Sequence, residues 1–218
     1  MKNTIIRLLT VSFVTILIIF LVTTNLSKPR ILVLHSYNLD FTWVENINVG
    51  ILRVLKEKPY SIRWHYMDTK RNPSLEYKEK AGKNAIKAIN QWNPNIIIAV
   101  DDNAQKFVAM HYNNSKAINI VFTGVNASVD TYGYDKAENV TGILERIPFQ
   151  EFREIFVQIL PKNKRRIVHI SDASVTSQLV HEELTDVDWS PLKLVKSFQC
   201  ETFKEWKEVI KDIDTIGD

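Results

Sequence analysis

Apolar and polar positions follow two different spacings along the chain, and these spacings predict strands and helices. Residues 31–34 form a short apolar run that stops at the polar residues 35–38. Apolar side chains at helical spacing then begin near Thr42 and continue through Ile47 and Ile51. A buried parallel strand, a polar turn and a covering helix have this pattern.

The same succession of strand, polar turn and helix repeats along the next hundred residues. Alternating strands and helices indicate a parallel sheet with crossover helices. Asn93 and Pro94 stop one of the helices, because proline disfavours the helical state in the residue before it. The further predicted strands are residues 61–67, 95–100, 118–122 and 139–144; the helices are 75–92, 104–112 and 149–160, with a loop at 127–138.

A second α/β unit begins after the turn at residues 161–164. Its predicted strands are residues 166–170 and 192–197, and its predicted helices are residues 175–184 and 202–213. The expected division is a leader (1–29), an N-terminal α/β lobe (30–145) and a partial second α/β lobe (146–218). Two strands cannot form a parallel sheet covered on both faces, so we expect a fragment, or a chain that associates to complete itself. Truncation is the simpler account.

The leader is the strongest signal for localisation. Lys2 and Arg7 precede the uncharged apolar run of residues 8–22, which approaches the roughly 20 residues of a transmembrane helix when its flanks are included. Residues 23–27 offer a poor cleavage pattern, which favours a retained signal anchor over a cleaved signal peptide. A basic N-terminal tail in the cytoplasm predicts a single-pass protein of the cell membrane with its globular part extracytoplasmic.

Composition narrows the class of protein. The chain is 45% hydrophobic and 24% charged, which is typical of a globular protein, and its formal net charge is +3. The only basic run, residues 162–166, is explained by a solvated turn, so no nucleic-acid partner is expected. Cys200 is the single cysteine, which excludes an internal disulfide and a paired-cysteine metal site. No cofactor is expected.

Each of the first four predicted strands ends in a cluster of polar residues, and these clusters are the candidate ligand-binding groups. The carboxyl ends of parallel strands meet at one edge of a sheet, where ligands of open α/β proteins bind. Helix N-termini at that edge favour anions. Tyr37 and Trp43 could form an aromatic wall, and Asp68, Asp101 and Asp102 could hold an ammonium. The predicted ligand is therefore small, polar and amino-acid-like; ordinary helix capping is the alternative interpretation.

The candidate ligand-binding residues lie at or just after predicted strand ends, except Trp43, which lies at the start of the predicted helix that begins near Thr42. His35 is interpreted instead as a satisfied polar residue at a strand end, and His65 is expected to be exposed because it faces away from the apolar set of its strand. The candidates are Ser36, Tyr37, Trp43, Asp68, Asp101, Asp102, Thr123, Asn126, Glu145 and Ser171.

Enzyme motifs are incomplete or missing in the sequence. Residues 181–184 read HEEL and begin like a zinc-protease helix, but Thr185 stands where the second histidine is required. Neither a GxSxG nucleophile elbow nor a GxxxxGK phosphate loop is found. We expect no enzymatic activity; an extracytoplasmic enzyme using His35, Asp101 and Asp102 is the less favoured alternative.

Four segments in order resemble one family. They are ILVLHSYNLDFTWVENINVGI at 31–51, YMDTKR at 66–71, IIIAVDDNA at 96–104 and IVFTGVNAS at 120–128. Together they resemble the TrpX-like substrate-binding proteins of ABC transporters and the related extracellular sensor domains of bacterial histidine kinases and diguanylate cyclases. VTGILE at 140–145 and the second unit from Arg166 extend the resemblance over nearly everything after the leader.

The resemblance implies a type I periplasmic-binding-protein fold, in which two α/β lobes close on a small ligand. It also implies a partner, either an ABC permease or a fused or associated signalling output domain. Two features depart from the family pattern: the leader reads as a retained anchor, and the second lobe stops partway. The transporter and sensor roles both remain open.

Overall fold

The structure, a computed structural model, describes residues 2–216. It begins with the single helix α1 (Lys2–Leu26), whose apolar side chains are exposed on all sides. The hydroxyls of Thr10, Thr15 and Thr23 donate to backbone carbonyls four residues earlier, so these polar groups are satisfied within the helix. By length and composition the stretch Asn3–Asn25 could cross a membrane, a test that a signal sequence also meets.

A five-stranded parallel sheet follows the leader and confirms the predicted α/β class. Its order is β2-β1-β3-β4-β5, and each neighbouring pair is parallel. The apolar runs that predicted the central strands β1 and β3 are buried on both faces. The strands are β1 (Arg30–His35), β2 (Ser61–Tyr66), β3 (Ile96–Val100), β4 (Asn119–Val125) and β5 (Val140–Leu144).

Crossover helices cover the two faces of this sheet. Helix α2 (Thr42–Leu55) packs on the face that carries Ile31 and Val33. Helices α3 (Leu75–Trp92) and α4 (Asp102–Phe107) cover the opposite face, which carries Leu34 and Ile97.

Helix α3 begins and ends where its capping residues require. The Ser74 hydroxyl accepts a hydrogen bond from the backbone N–H of Tyr77, and this caps the first turn. Asn93 adopts a left-handed conformation at φ 49°, and its N–H donates to the carbonyl of Ile89. Pro94 then prevents a further turn.

The structure corrects the predicted helix at residues 104–112. Helix α4 ends at Phe107, and Val108, at φ −140° and ψ −65°, separates it from a 3₁₀ turn at Ala109–Tyr112. The predicted loop at residues 127–138 contains two further 3₁₀ turns, at Val129–Tyr132 and Tyr134–Lys136.

His65 is half-buried, and the expectation that it is exposed was wrong. Helix α3 crosses the face of β2 that carries His65, and Tyr77 and Ala81 line the same crevice. This burial lowers the pKa of His65. Periodicity identified the side of the strand but not the helix that covers it.

The rest of the chain forms a second, smaller α/β unit. Its parallel strands β6 (Arg166–Asp172) and β7 (Lys193–Cys200) pair only with each other among the described residues. Its helices are α5 (Phe149–Ile159), α6 (Val175–Thr185) and α7 (Phe203–Ile216). Its core consists of Phe149, Leu184, Trp189 and Leu192 with their partly buried neighbours. We propose residues 30–145 and 146–218 as the first and second lobes, after a leader at 1–29.

Candidate ligand-binding site

A cavity of about 610 Å³ lies between the carboxyl ends of strands from both lobes. The first lobe lines it through residues that follow β1 and β2 and through the N-terminal regions of α3 and α4. The second lobe lines it through the ends of β6 and β7 and the start of α6. Its first-lobe polar residues are Tyr37, Thr69, Lys70, Lys78 and Asn103. Its second-lobe polar residues are Asp172, Ser174, Thr176 and Glu201.

Tyr37 is the predicted site residue that reaches this cavity directly. Its hydroxyl donates to Oδ2 of Asp101 at 2.6 Å. The same oxygen lies 3.2 Å from Oγ1 of Thr176 in the second lobe, and it accepts from that hydroxyl because its own proton is used. Burial and the neighbouring Asp101 carboxylate raise the pKa of Tyr37, so the phenol stays protonated.

Asp101 supports Tyr37 from behind. Its side chain is the N-cap of α4 and accepts from the backbone N–H of Asn103 at 3.2 Å. Its backbone is at φ 72°, a conformation that is uncommon for a residue other than glycine. Burial raises the pKa of Asp101 to about 6, although the hydrogen bond from Tyr37 opposes the rise. The Asp101 carboxylate does not line the cavity, and its role is to position the Tyr37 phenol through their hydrogen bond.

Ser36 and Asp102 are occupied by contacts within the first lobe. The Ser36 hydroxyl donates to the carbonyl of Val100 at 2.9 Å and accepts from the N–H of Ala104 at 2.7 Å. The Asp102 carboxylate accepts from the backbone N–H of Asn126 at 3.0 Å and from the Tyr132 hydroxyl at 2.7 Å. Ser36 thus joins β1 to the start of α4, and Asp102 fixes the loop after β4.

Trp43, Thr123 and Glu145 line a second, more open cavity of about 260 Å³. The centre of the Trp43 ring lies 5.9 Å from the centre of the Tyr37 ring, which lines the larger cavity. Gly124, at φ 63°, permits this packing, because a Cβ atom there would lie 2.7 Å from the Trp43 ring. Asn126 lines neither cavity; its side-chain amide lies 3.4 Å from Asp102 Oδ2.

Asp68 and Ser171 line neither cavity, although each adjoins a residue that lines the larger one. The Asp68 carboxylate pairs with Arg71, whose Nε is 2.7 Å from Oδ1. Ser171 stands one residue before Asp172 on β6, and its buried hydroxyl has no hydrogen-bond partner within residues 2–216.

His35 is buried against the aromatic residues of β2. Its Nε2 lies 2.7 Å from Asn48 Oδ1, and its ring stacks on Tyr66 at 5.2 Å. Burial lowers the pKa of His35 to about 4, against a smaller opposing effect of the Asn48 hydrogen bond. The imidazole is therefore neutral at pH 7 and faces the α2 side of the sheet.

Several residues of the larger cavity were missed by sequence reasoning. Lys70 lies inside the YMDTKR segment and directly follows a strand-end cluster, a position that could have identified it. Ser174 caps α6 by accepting from the N–H of Ser177, a common role for serine before a helix. Lys78 and Glu201 belong to charged stretches that resemble any solvated surface. Within residues 2–216, no group of three or more His, Cys, Asp or Glu side chains is arranged to hold a metal ion.

Comparisons with known proteins show the fold. No protein-family model matches the chain, and no curated protein matches its sequence significantly. An ABC domain from Streptococcus pneumoniae in complex with L-Trp is similar in structure, with a TM-score of 0.61 and 15% identity; the match covers 88% of this chain and 64% of that one. A conserved domain protein from Vibrio cholerae has a TM-score of 0.60 and 18% identity, over 87% of this chain and 61% of that one.

A third similar structure is an ABC-transporter solute-binding protein from Rhodopseudomonas palustris in complex with p-hydroxybenzoic acid. Its TM-score is 0.58 at 13% identity, over 88% of this chain and 52% of that one. The chain thus spans between about half and two thirds of the length of these proteins. The chain has the type I periplasmic-binding-protein fold, which its solute-binding structural neighbours share.

Proposed function

We propose that this protein is a membrane-anchored, extracytoplasmic small-molecule binding protein that serves as the substrate-binding component of an ABC transporter. The observation that carries the proposal is the cavity of about 610 Å³ lined by polar side chains from both lobes. Ligand sites of small molecules have volumes of about 300–1,000 Å³ and a few placed polar groups. Two of the similar structures hold small carboxylic acids, L-Trp and p-hydroxybenzoic acid.

A small polar or amino-acid-like ligand fits the chemistry of this cavity. Lys70 and Lys78 supply positive charge from the first lobe. Asp172 and Glu201 supply negative charge from the second lobe. Thr69 and Thr176 supply hydroxyl groups that both donate and accept. We place Tyr37 in the ligand site and assign Asp101 the role of holding it.

The contacts of His35 and Asp101 favour a binding function over a catalytic one. The His35 imidazole bonds to Asn48 inside the first lobe, and the Asp101 carboxylate bonds to Tyr37. A general base must reach the proton it abstracts, and neither group lines the cavity. We therefore propose that the protein has no enzymatic activity.

Helix α1 supports the proposed anchor, because its apolar surface is unburied over a length that could span a bilayer. An ABC permease in the same membrane is the proposed partner. Alkaline extraction of membranes tests the anchor. The expected result is full-length protein in the membrane fraction with its globular part accessible to protease from outside the cytoplasm.

A ligand-sensing ectodomain of a histidine kinase or diguanylate cyclase is the second candidate function. The proposed retention of the anchor favours it, since a sensor must remain in the membrane beside its output domain. The two roles differ in their partner. Co-purification of the full chain with a permease supports transport, and co-purification with a kinase or cyclase supports sensing.

Thermal unfolding of the full chain in mild detergent tests the binding function itself. Ligand at 100 times its Kd stabilises the folded state by about 2.7 kcal/mol, which gives a clear rise in Tm. We expect amino acids or small aromatic acids to produce this rise without being consumed. Consumption of the ligand would indicate an enzyme, and a folded protein that no small molecule stabilises would contradict the proposal.

A further inference from the structure

The first-lobe side of the larger cavity carries two lysines that form no ion pair among the side chains that the structure describes. Lys70 follows β2, and Lys78 lies in the first turn of α3. Among the side chains of residues 3–25 and 27–213, no carboxylate oxygen lies within 4.0 Å of either ammonium group. These two charges are therefore available to a ligand.

Lys70 is held in place by aromatic rings. Its Nζ lies 5.0 Å from the centre of the Tyr37 ring and 4.6 Å from the centre of the Phe41 ring. Cation–π contacts position an ammonium group but leave its charge unneutralised. The ammonium group of the exposed Lys70 therefore lies at the cavity wall beside Tyr37 and keeps its charge.

Lys78 is half-buried, and this makes its charge costly without an anion nearby. Burial, and in smaller part the charge of Lys106, lower the pKa of Lys78, while the Asp101 carboxylate opposes the change. A ligand anion would offset the lost hydration of the ammonium group. The N-terminal end of α3, whose dipole also favours anions, lies beside Lys78.

The acidic groups on the second-lobe side face these lysines without forming an ion pair with them, although the charge of Lys70 contributes to lowering the pKa of Asp172. Oδ1 of Asp172 already accepts from the N–H of Ser174 at 3.1 Å and from its hydroxyl at 2.6 Å, and also from the Ser177 hydroxyl. Glu201 is exposed at the opposite wall, and its carboxylate forms no ion pair with the side chains of residues 3–25 and 27–213. The cavity is therefore positive on one side and negative on the other.

We propose that the ligand carries a carboxylate that binds against Lys70 and Lys78, with any cationic group directed toward Glu201. This inference rests on the proposed binding function and adds the chemical class of the ligand and the residues that recognise it. Hydrogen bonds between charged groups contribute more than neutral ones, so loss of one lysine should weaken binding about 10-fold or more.

Matched acids and amides test this proposal on the full chain in detergent by isothermal titration calorimetry. The probes are L-tryptophan and L-tryptophanamide, 4-hydroxybenzoate and 4-hydroxybenzamide, and succinate and succinamide. At least one acid should bind about 10-fold tighter than its amide. Lys70→Met and Lys78→Met should each remove most of this preference, and Lys70→Arg should retain part of it.

Lys83→Met is the matched control, because Lys83 is exposed on the same helix α3 and does not line the cavity. It removes the same charge and should leave the preference for the acid unchanged. Thermal unfolding without ligand verifies that each variant is folded. Equal binding of acids and amides, or an equal loss in Lys83→Met, would overturn the carboxylate site.

Glucose and putrescine, as neutral and cationic probes, separate this inference from the proposed function. If either binds in the cavity and none of the acids does, the binding function stands and the carboxylate site is wrong. If no probe of any class binds to folded protein, both proposals fail.

Discussion

The Tyr37 hydroxyl of the first lobe lies 3.2 Å from Thr176 Oγ1 of the second lobe, at the wall of the larger cavity. The phenol is held by its 2.6 Å hydrogen bond to the buried Asp101 carboxylate. Helix α6 makes a second contact between the lobes through Leu179, which packs against the apolar cluster around Phe122. A buried carboxylate that lines neither cavity therefore positions the phenol that makes the polar contact between the lobes.

Tyr37→Phe should destabilise the folded protein by about 1–3 kcal/mol. The change removes the hydroxyl and leaves the buried Asp101 carboxylate with one fewer donor, a loss that is larger than that of an ordinary hydrogen bond. Thr176→Val removes only the contact between lobes and should cost about 1 kcal/mol or less. Urea unfolding of the full chain, followed by tryptophan fluorescence, measures both. Equal costs would contradict the role of Asp101.

His35 should make the folded protein more stable as the pH rises. Its pKa is lowered from 6.5 in the unfolded state to about 4, so the unfolded state binds more protons between these values. The free energy of unfolding contributed by His35 should rise by about 2.5 kcal/mol from pH 4.5 to pH 7. His35→Gln removes this contribution, so its destabilisation relative to wild type should be larger at pH 7 than at pH 4.5.

Asp101 should have the opposite pH dependence. Its pKa is raised from 3.8 to about 6, so the folded state binds more protons between these values. The contribution of Asp101 to the free energy of unfolding should fall by about 2 kcal/mol from pH 4.5 to pH 7. Asp101→Asn keeps an acceptor for Tyr37 and removes this fall. Its free energy of unfolding relative to that of wild type should therefore increase as the pH rises.

The two variants serve as controls for each other, because their contributions oppose one another over the same range of pH. From pH 4.5 to pH 7, the free energy of unfolding of His35→Gln should fall relative to that of wild type. Over the same range, the free energy of unfolding of Asp101→Asn should rise relative to that of wild type. Identical pH profiles for wild type and both variants would show that neither group titrates as the structure requires.

Two glycines should respond in opposite directions to alanine. A Cβ at Gly142 would lie 2.2 Å from the Phe122 carbonyl oxygen, so Gly142→Ala must move β4 or β5 and should cost about 1–3 kcal/mol. At Gly50, within α2, no atom lies within 4 Å of a Cβ, so Gly50→Ala should stabilise the protein by about 0.5–1 kcal/mol. Thermal unfolding of the two variants compares them directly; a stabilised Gly142→Ala would contradict the close strand packing.

The first lobe could be predicted from the sequence because its central strands are buried on both faces. Such strands read as continuous apolar runs, and the polar residues after them mark the edge where ligands bind. The break of α4 at Val108 was not visible, because residues 104–112 contain no proline or glycine to indicate it.

The site was harder to predict, because it depends on contacts between distant parts of the chain. Asp102 has the residue type and position of a ligand group, yet its carboxylate accepts from the N–H of Asn126 and anchors a loop. Lys70, Lys78 and Glu201 meet at one cavity only because the two lobes face each other. Sequence spacing does not indicate which surface charges come together in this way.

The binding of a ligand between the lobes is tested most directly by thermal unfolding of the full chain with small carboxylic acids. Wild type is compared with Thr176→Trp. The bulky indole should fill the cavity beside Tyr37 and abolish the ligand-induced rise in Tm, while wild type should show it. An equal rise in both proteins would place the ligand elsewhere and contradict the account.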